Sequence, residues 1–286
     1  MKELTLAQLN QKAKEIREDI IEMLLEAKSG HSAGPLGMAD VFTALYFAVL
    51  NQNPQDPWNE NRDKVILSCG HICPVLYATL AHAGYFPKSK LKTLRKIDSK
   101  LYGHPQVRAL PGIENSSGPL GQGTSQAVGH ALAARMDDKR NYVFCITSDG
   151  EHDEGQTWES IMFAGKQKLY NLINIVDRNN IQIDGYTEDI MPLEPFKEKY
   201  EAFGWHVLEV NGHNIREVIA ACEEAKVVYE KPSVIIARTI PGKGVEFMER
   251  KFEWHGIPPN AKQAKEALHD IRTIRTLGGN ICSECE

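Results

Sequence analysis

Asp149 and Asn179 are the residues whose types and spacing point first to chemistry. Asp149 stands in an acidic turn, residues 148–154 (SDGEHDE), and Asn179 in a polar turn thirty residues after Asp149. Each turn follows a short apolar run, residues 142–147 and 172–176, and a helical segment opened by Gly155 separates the two. Apolar runs flanking a helix form a βαβ unit with parallel strands. Both turns then lie at the carboxyl edge of a sheet, where open α/β sheets bind ligands. A carboxylate and an amide oxygen at that edge are hard donors suited to Mg²⁺, with Ca²⁺ or Mn²⁺ as substitutes. The carbonyl of Ile181 offers a third oxygen. Mg²⁺ keeps positions for water and phosphate, so a diphosphate is its natural companion, and the free N–H groups near Gly155 add to the attraction.

Histidines supply the second set of candidates. Of the ten in the chain, His31, His71, His104 and His255 each lie in a loop beside Gly or close to Pro, and His71 directly follows an apolar run ending at Ser68. A lone loop histidine is ordinarily a solvated residue. Four converging on one sheet edge would hydrogen-bond hydroxyls and phosphates and exchange protons near neutral pH. His82, His130, His206, His213 and His269 fall outside these loops and take a structural reading, as does His152 inside the acidic turn. Lys243, between two glycines, reads as a solvated turn residue that could meet a phosphate.

The elements that must position these residues follow from periodicity. Residues 6–28 carry apolar positions at spacings of three and four, an amphipathic helix. A glycine-rich loop (residues 31–37), a helix over 40–49, a loop over 51–61 and a strand over 64–68 come next. A helix through Leu80 and a basic helical stretch over 88–96 lead to a long Gly/Pro loop, residues 101–123. Loops of that length inside a domain are ordinarily functional. An alanine-rich helix over 124–135 precedes the βαβ unit at 141–185. Beyond it come a helix over 193–203, a strand over 206–210, a helix over 215–229 capped by Asn214, and a strand over 233–237. A loop carrying Trp254, His255 and Gly256 leads to a closing helix over 261–275 with a short tail. Five buried strands alternating with helices make an α/β, doubly wound parallel sheet flanked by helices, a single domain over residues 1–286.

These motifs resemble a family. Asp149-Gly150, Glu154-Gly155 and Asn179-Asn180 resemble the thiamine diphosphate signature, a Gly-Asp-Gly followed about thirty residues later by Asn-Asn; Ser148 replaces the first glycine, which puts the tightness of the turn in question. The strings SGHSAGPLGMAD, LSCGHICPVLY, GHPQVRALPGIENSSGPLGQG and WHG are similar, in order, to the four histidine-bearing motifs of the transketolases. The resemblance implies that Asp149, Asn179 and the carbonyl of Ile181 bind the metal. It places His71, Gly118, Leu120, Gly150, Glu154, Asn179 and His255 around the cofactor, and His31, His104 and His255 on the sugar hydroxyls. It also implies transfer of a two-carbon ketol unit between sugar phosphates, as in the pentose phosphate pathway. The glutamate that activates the cofactor belongs, in that family, to a second domain. The expectation is therefore one subunit working with a separate C-terminal subunit, in an α₂β₂ assembly. Two alternatives stay open: the alpha subunit of a 2-oxo acid dehydrogenase, and a catalytically silent subunit of the same fold.

Composition narrows the class. A chain of 286 residues, 42% hydrophobic, buries roughly three quarters of its unfolded surface. The net charge of −5 and the lack of long Lys/Arg runs give no footprint for nucleic acid. The absence of a long apolar segment or signal-peptide core points to a cytoplasmic protein with no membrane partner. Of six cysteines, Cys145 and Cys222 read as small buried hydrophobes. Cys282 and Cys285 form a CxxC in the tail without the second pair a zinc ribbon needs.

Overall fold

The computed structural model describes residues 4–273. Five strands form one parallel sheet: β1 (Lys64–Leu67), β2 (Val143–Ser148), β3 (Leu172–Arg178), β6 (His206–Asn211) and β7 (Ser233–Arg238), in the order β1-β2-β3-β7-β6. A two-stranded antiparallel hairpin, β4 (Ile181–Gln182) and β5 (Gly185–Tyr186), projects from the end of β3. β2 pairs in parallel with the central strand β3, so the turns that follow them, carrying Asp149 and Asn179, are neighbours at the carboxyl edge.

Side chains alternate across the sheet, and each face packs its own layer. Phe144, Ile146, Ile173 and Ile175 point into one core with α1 (Leu6–Ala27), α3 (Ala39–Ala44), α4 (Cys73–Ala83), α9 (Ile215–Lys226) and α10 (Ala261–Thr273). Val143, Cys145, Leu172 and Val176 point into the other, with α5 (Gln122–Met136), α6 (Gly155–Gln167) and α8 (Phe196–Ala202). The short helices α2 (Ala33–Gly37) and α7 (Thr187–Ile190) border the carboxyl edge. The doubly wound parallel sheet flanked by helices is thus observed.

Several boundaries differ from expectation for local reasons. The strand over 206–210 is an edge strand, with Glu209 and Asn211 exposed, rather than a buried one. The helix expected over 40–49 ends at Ala44 and continues as a π turn over Leu45–Val49. The basic stretch forms a 3₁₀ turn, Lys88–Thr93. The helix expected from residue 193 begins at Phe196, because Pro195 restricts the residue before it and has no N–H to donate. The closing helix is described to Thr273, so residues 274–275 and the Cys282/Cys285 pair lie outside the described residues.

One buried polar cluster ties the first glycine-rich loop to the last. The Arg17 guanidinium on α1 pairs with Asp40, whose other partner is Nδ1 of His213 at 2.8 Å. His213 Nε2 accepts the Ile240 N–H at 2.7 Å. The structural reading of His213 therefore holds, and the cluster seats the 240–244 loop beside α2.

Candidate active site

His31 follows α1, His71 lies in the 3₁₀ turn Gly70–Ile72 after β1, and His255 follows the 3₁₀ turn Phe252–Trp254 near the end of the fold. Their rings meet. Centroids are 5.0 Å apart for His31 and His71, 5.1 Å for His71 and His255, and 5.5 Å for His31 and His255. Two bonds close the chain on itself to bring this about: Ser32 Oγ donates to the Ile257 carbonyl at 2.6 Å, and Gly242 N–H donates to the Ala33 carbonyl at 2.9 Å. Gly256 lies beside the His31 ring, where a Cβ would stand 3.7 Å from His31 Nε2, in ordinary contact. His104 lies against Gly118, whose φ of +150° only glycine adopts readily. Its ring adds to the lowering of both His31 and His71.

Burial is the main cause that keeps these imidazoles neutral. It brings His31 down to about 4, with His255, Arg95 and His104 adding to the effect. It brings His255 to about 4, and holds His71 well below and His104 below the ordinary value. Nδ1 of His31 and of His255 are both buried without a protein partner. A neutral imidazole with a free ring nitrogen is equipped to exchange a hydrogen bond with a ligand hydroxyl.

The second half of the site surrounds Asp149, which is fully buried. Its Oδ1 accepts the Gly150 N–H at 2.8 Å and its Oδ2 the Asn180 N–H at 2.6 Å, a bond that spans from the β2 turn to the β3 turn. Asn179, next in the chain to Asn180, is oriented by two bonds: Nδ2 donates to Asp177 at 2.8 Å and Oδ1 accepts the Ile181 N–H at 3.0 Å. Burial raises Asp149 to about 6 against the opposing pull of Arg178. Among the described residues no group of three or more His, Cys, Asp and Glu is arranged to hold a metal. A donor set of one carboxylate, one amide and one carbonyl contains only one such residue.

Ser148 ends β2 in strand conformation and is not among the residues with positive φ, so its backbone needs no glycine. The glycine that the cradle requires is elsewhere. Gly121, at φ +79°, opens α5 and donates its N–H at 2.6 Å to Glu151, a fully buried carboxylate that also accepts from Ser68 Oγ. Burial pushes Glu151 up to about 7. Glu154 is exposed at the start of α6 and packs its stem against the Gly121 position, while Leu120 is partly buried against the core.

Residues 9–272 match the family described as the transketolase thiamine diphosphate-binding domain. A 6-deoxy-6-sulfo-D-fructose transketolase subunit of Clostridium sp. (strain MSTE9) is 44% identical over 263 residues, 92% of this chain and 96% of that protein. The chain belongs to the transketolases. An apulose-4-phosphate transketolase subunit of Actinobacillus succinogenes is 40% identical over 272 residues, covering 94% of this chain and 98% of that one. The crystal structure of a Campylobacter jejuni transketolase superposes with a TM-score of 0.88 at 34% identity; it matches 94% of this chain, which spans 43% of its length. The chain is a transferase subunit of the N-terminal, thiamine diphosphate-binding kind, and the 2-oxo acid dehydrogenase alternative is set aside.

Within the transketolase frame, the structure brings His31, His71, His104 and His255 to the same edge as Asp149 and Asn179. Sequence reasoning missed three buried charged groups there: Glu151, Asp177 and Arg178. An arginine ending an otherwise apolar run was a readable signal for the last. His152 is structural, its Nδ1–H donating to the Ser148 carbonyl at 2.9 Å and its Nε2 accepting from Tyr200 Oη at 2.7 Å. Lys243 faces Glu249 at 3.4 Å, so the nearby acid occupies it.

Proposed function

We propose that this chain is the diphosphate-binding subunit of a thiamine diphosphate-dependent ketol transferase that works with a separate C-terminal subunit in an α₂β₂ assembly. The observation carrying this reading is the meeting of three neutral imidazoles, His31, His71 and His255, from segments far apart in the chain. Asp149, the Asn179 side-chain oxygen and the Ile181 carbonyl would hold Mg²⁺, with Ca²⁺ or Mn²⁺ able to substitute. The buried hard-oxygen donors and the oriented Asn179 amide fit such an ion. Gly150, His71, Gly118, Leu120, Glu154, Asn179 and His255 would border the cofactor. Thiamine diphosphate, when bound, supplies the carbon nucleophile that carries the two-carbon unit. His31, His104 and His255 then orient the sugar hydroxyls and pass protons to and from them, the task a neutral imidazole performs near neutral pH.

The substrates are sugar phosphates or ketoses with a comparable anionic end, as in the pentose phosphate pathway, and the protein is cytoplasmic. No described helix is long and apolar enough to cross a membrane. Residues 4–273 then form one domain around the five-stranded sheet. The test is an activity assay: the purified chain alone should be inactive, and adding its C-terminal partner should restore ketol transfer. Full turnover by the isolated chain would overturn the two-subunit reading.

A further inference from the structure

Arg178 stands where the expected metal chemistry would not place a cation. It is the last residue of β3 and only 2% exposed. Its Nη1 lies 3.3 Å from Asp149 Oδ2, the same oxygen that accepts the Asn180 N–H. The other terminal nitrogen, Nη2, is held by Glu188 at 2.6 Å and Glu194 at 2.9 Å, and the guanidinium carbon sits 5.7 Å from the centre of the Phe196 ring. Both glutamates are pinned in turn, Glu188 by the Leu193 N–H and Glu194 by the Phe196 N–H. The arginine is thus clamped from the 187–196 segment and presented to Asp149.

The charges do not act equally on the site. The side chains of Glu188 and Glu194 are 38% and 53% exposed, so solvent screens them, whereas Asp149 is fully buried. Asp177 turns its oxygens to Thr239 and Asn179 rather than to the arginine. The charged side chain in direct contact with Asp149 is therefore a cation.

We propose that Arg178 is a resident counter-cation for Asp149 that makes divalent-metal binding conditional on a diphosphate. The inference rests on the reading of Asp149 as a metal ligand. A bare dication approaching Asp149 meets a carboxylate already paired with a guanidinium, whose positive charge opposes the approach. A dication chelated by diphosphate brings its own negative charge, which the same arginine attracts. The site thereby selects the metal–diphosphate chelate over the free ion.

The experiment is an electron paramagnetic resonance titration of Mn²⁺ into the full chain, with and without inorganic pyrophosphate. Wild type should bind Mn²⁺ weakly alone and at least about tenfold more tightly with pyrophosphate. Arg178→Met should bind Mn²⁺ alone at least about tenfold more tightly than wild type, and Arg178→Lys, which keeps the charge, should not. Tight binding of bare Mn²⁺ by wild type would overturn the proposal, and that measurement stands even where the Met variant fails to fold. Unchanged or weaker Mn²⁺ binding by a folded Arg178→Met would also overturn it, leaving the arginine a mere support for Asp149. Asp149→Ala separates the two levels: unchanged Mn²⁺–pyrophosphate binding in that variant would mean that the metal assignment itself had failed.

Discussion

The imidazoles of His31 and His255 meet edge to face with centroids 5.5 Å apart, although one follows the first helix and the other precedes the last. The contact depends on closing almost the whole chain, through Ser32 to Ile257 and Gly242 to Ala33. Packing three imidazoles together in a buried space favours the neutral form of each, since every proton added would be desolvated and repelled by its neighbours.

That arrangement sets a pH dependence that can be measured residue by residue. The folded state holds His31 and His255 at about 4, below the usual 6.5. Between those values the unfolded chain binds more protons than the folded one, so stability contributed by these groups is present above 6.5 and lost as pH falls toward 4. After discounting for partial exposure, each is worth on the order of 1 kcal/mol. Proton NMR of the imidazoles should show both midpoints near 4. A midpoint at the free-histidine value for either ring would contradict the buried cluster.

Asp149→Ala should abolish Mg²⁺-dependent thiamine diphosphate binding, lowering affinity by at least about a hundredfold, while circular dichroism stays native. The substitution removes the acceptor of both the Gly150 and Asn180 N–H groups, so the two turns lose their direct link as well as the carboxylate. Titration calorimetry giving the wild-type affinity would reject the assignment of the β2 and β3 turns as the cofactor's metal site.

Much of this site was legible because parallel central strands are buried on both faces and therefore read as unbroken apolar runs. The run over 142–147 and that over 172–176 located β2 and β3, and with them Asp149 and Asn179. β6 was misjudged for the complementary reason: an edge strand exposes part of its length, and the exposure of Glu209 depends on having one neighbour strand, β7, rather than two. Glu151 was overlooked because an acidic turn ordinarily faces water. Its burial arises only when Gly121 and Ser68, from distant segments, close over it. The proximity of His31, His71 and His255 was likewise a property of closure that spacing does not encode; resemblance to a family supplied it, and the ring distances establish it.

Glu151 offers a test of that closure. Three groups donate to its carboxylate, the Gly121 N–H, Ser68 Oγ and the Ser148 N–H, and they come from the α5 loop, the end of β1 and the end of β2. Glu151→Ala strands these donors in a buried space, at about 1–3 kcal/mol for each left unsatisfied. Glu151→Gln keeps one oxygen acceptor, so it should lose less than the alanine variant in both Tm and cofactor affinity. Equal Tm values for the two variants would show that the carboxylate's bonds do not hold the loops together.

Two glycines of α5 carry opposite expectations for the same substitution. A Cβ on Gly123 would stand 2.4 Å from Ser68 Cα, a backbone atom that cannot swing aside, whereas a Cβ on Gly129 would meet nothing within 4 Å. Alanine is favoured over glycine in a helix by up to about 1 kcal/mol, which is the whole effect at Gly129. At Gly123 the same gain is outweighed by overpacking of about 1–3 kcal/mol, because α5 must retreat from the end of β1. Urea denaturation of the full chain should therefore place Gly129→Ala above wild type and Gly123→Ala below it. Retreat of α5 also draws the Gly121 N–H away from Glu151, so Gly123→Ala should weaken thiamine diphosphate binding where Gly129→Ala leaves the diphosphate cradle intact. If Gly123→Ala were as stable as wild type, the close seat of α5 on Ser68 would not exist.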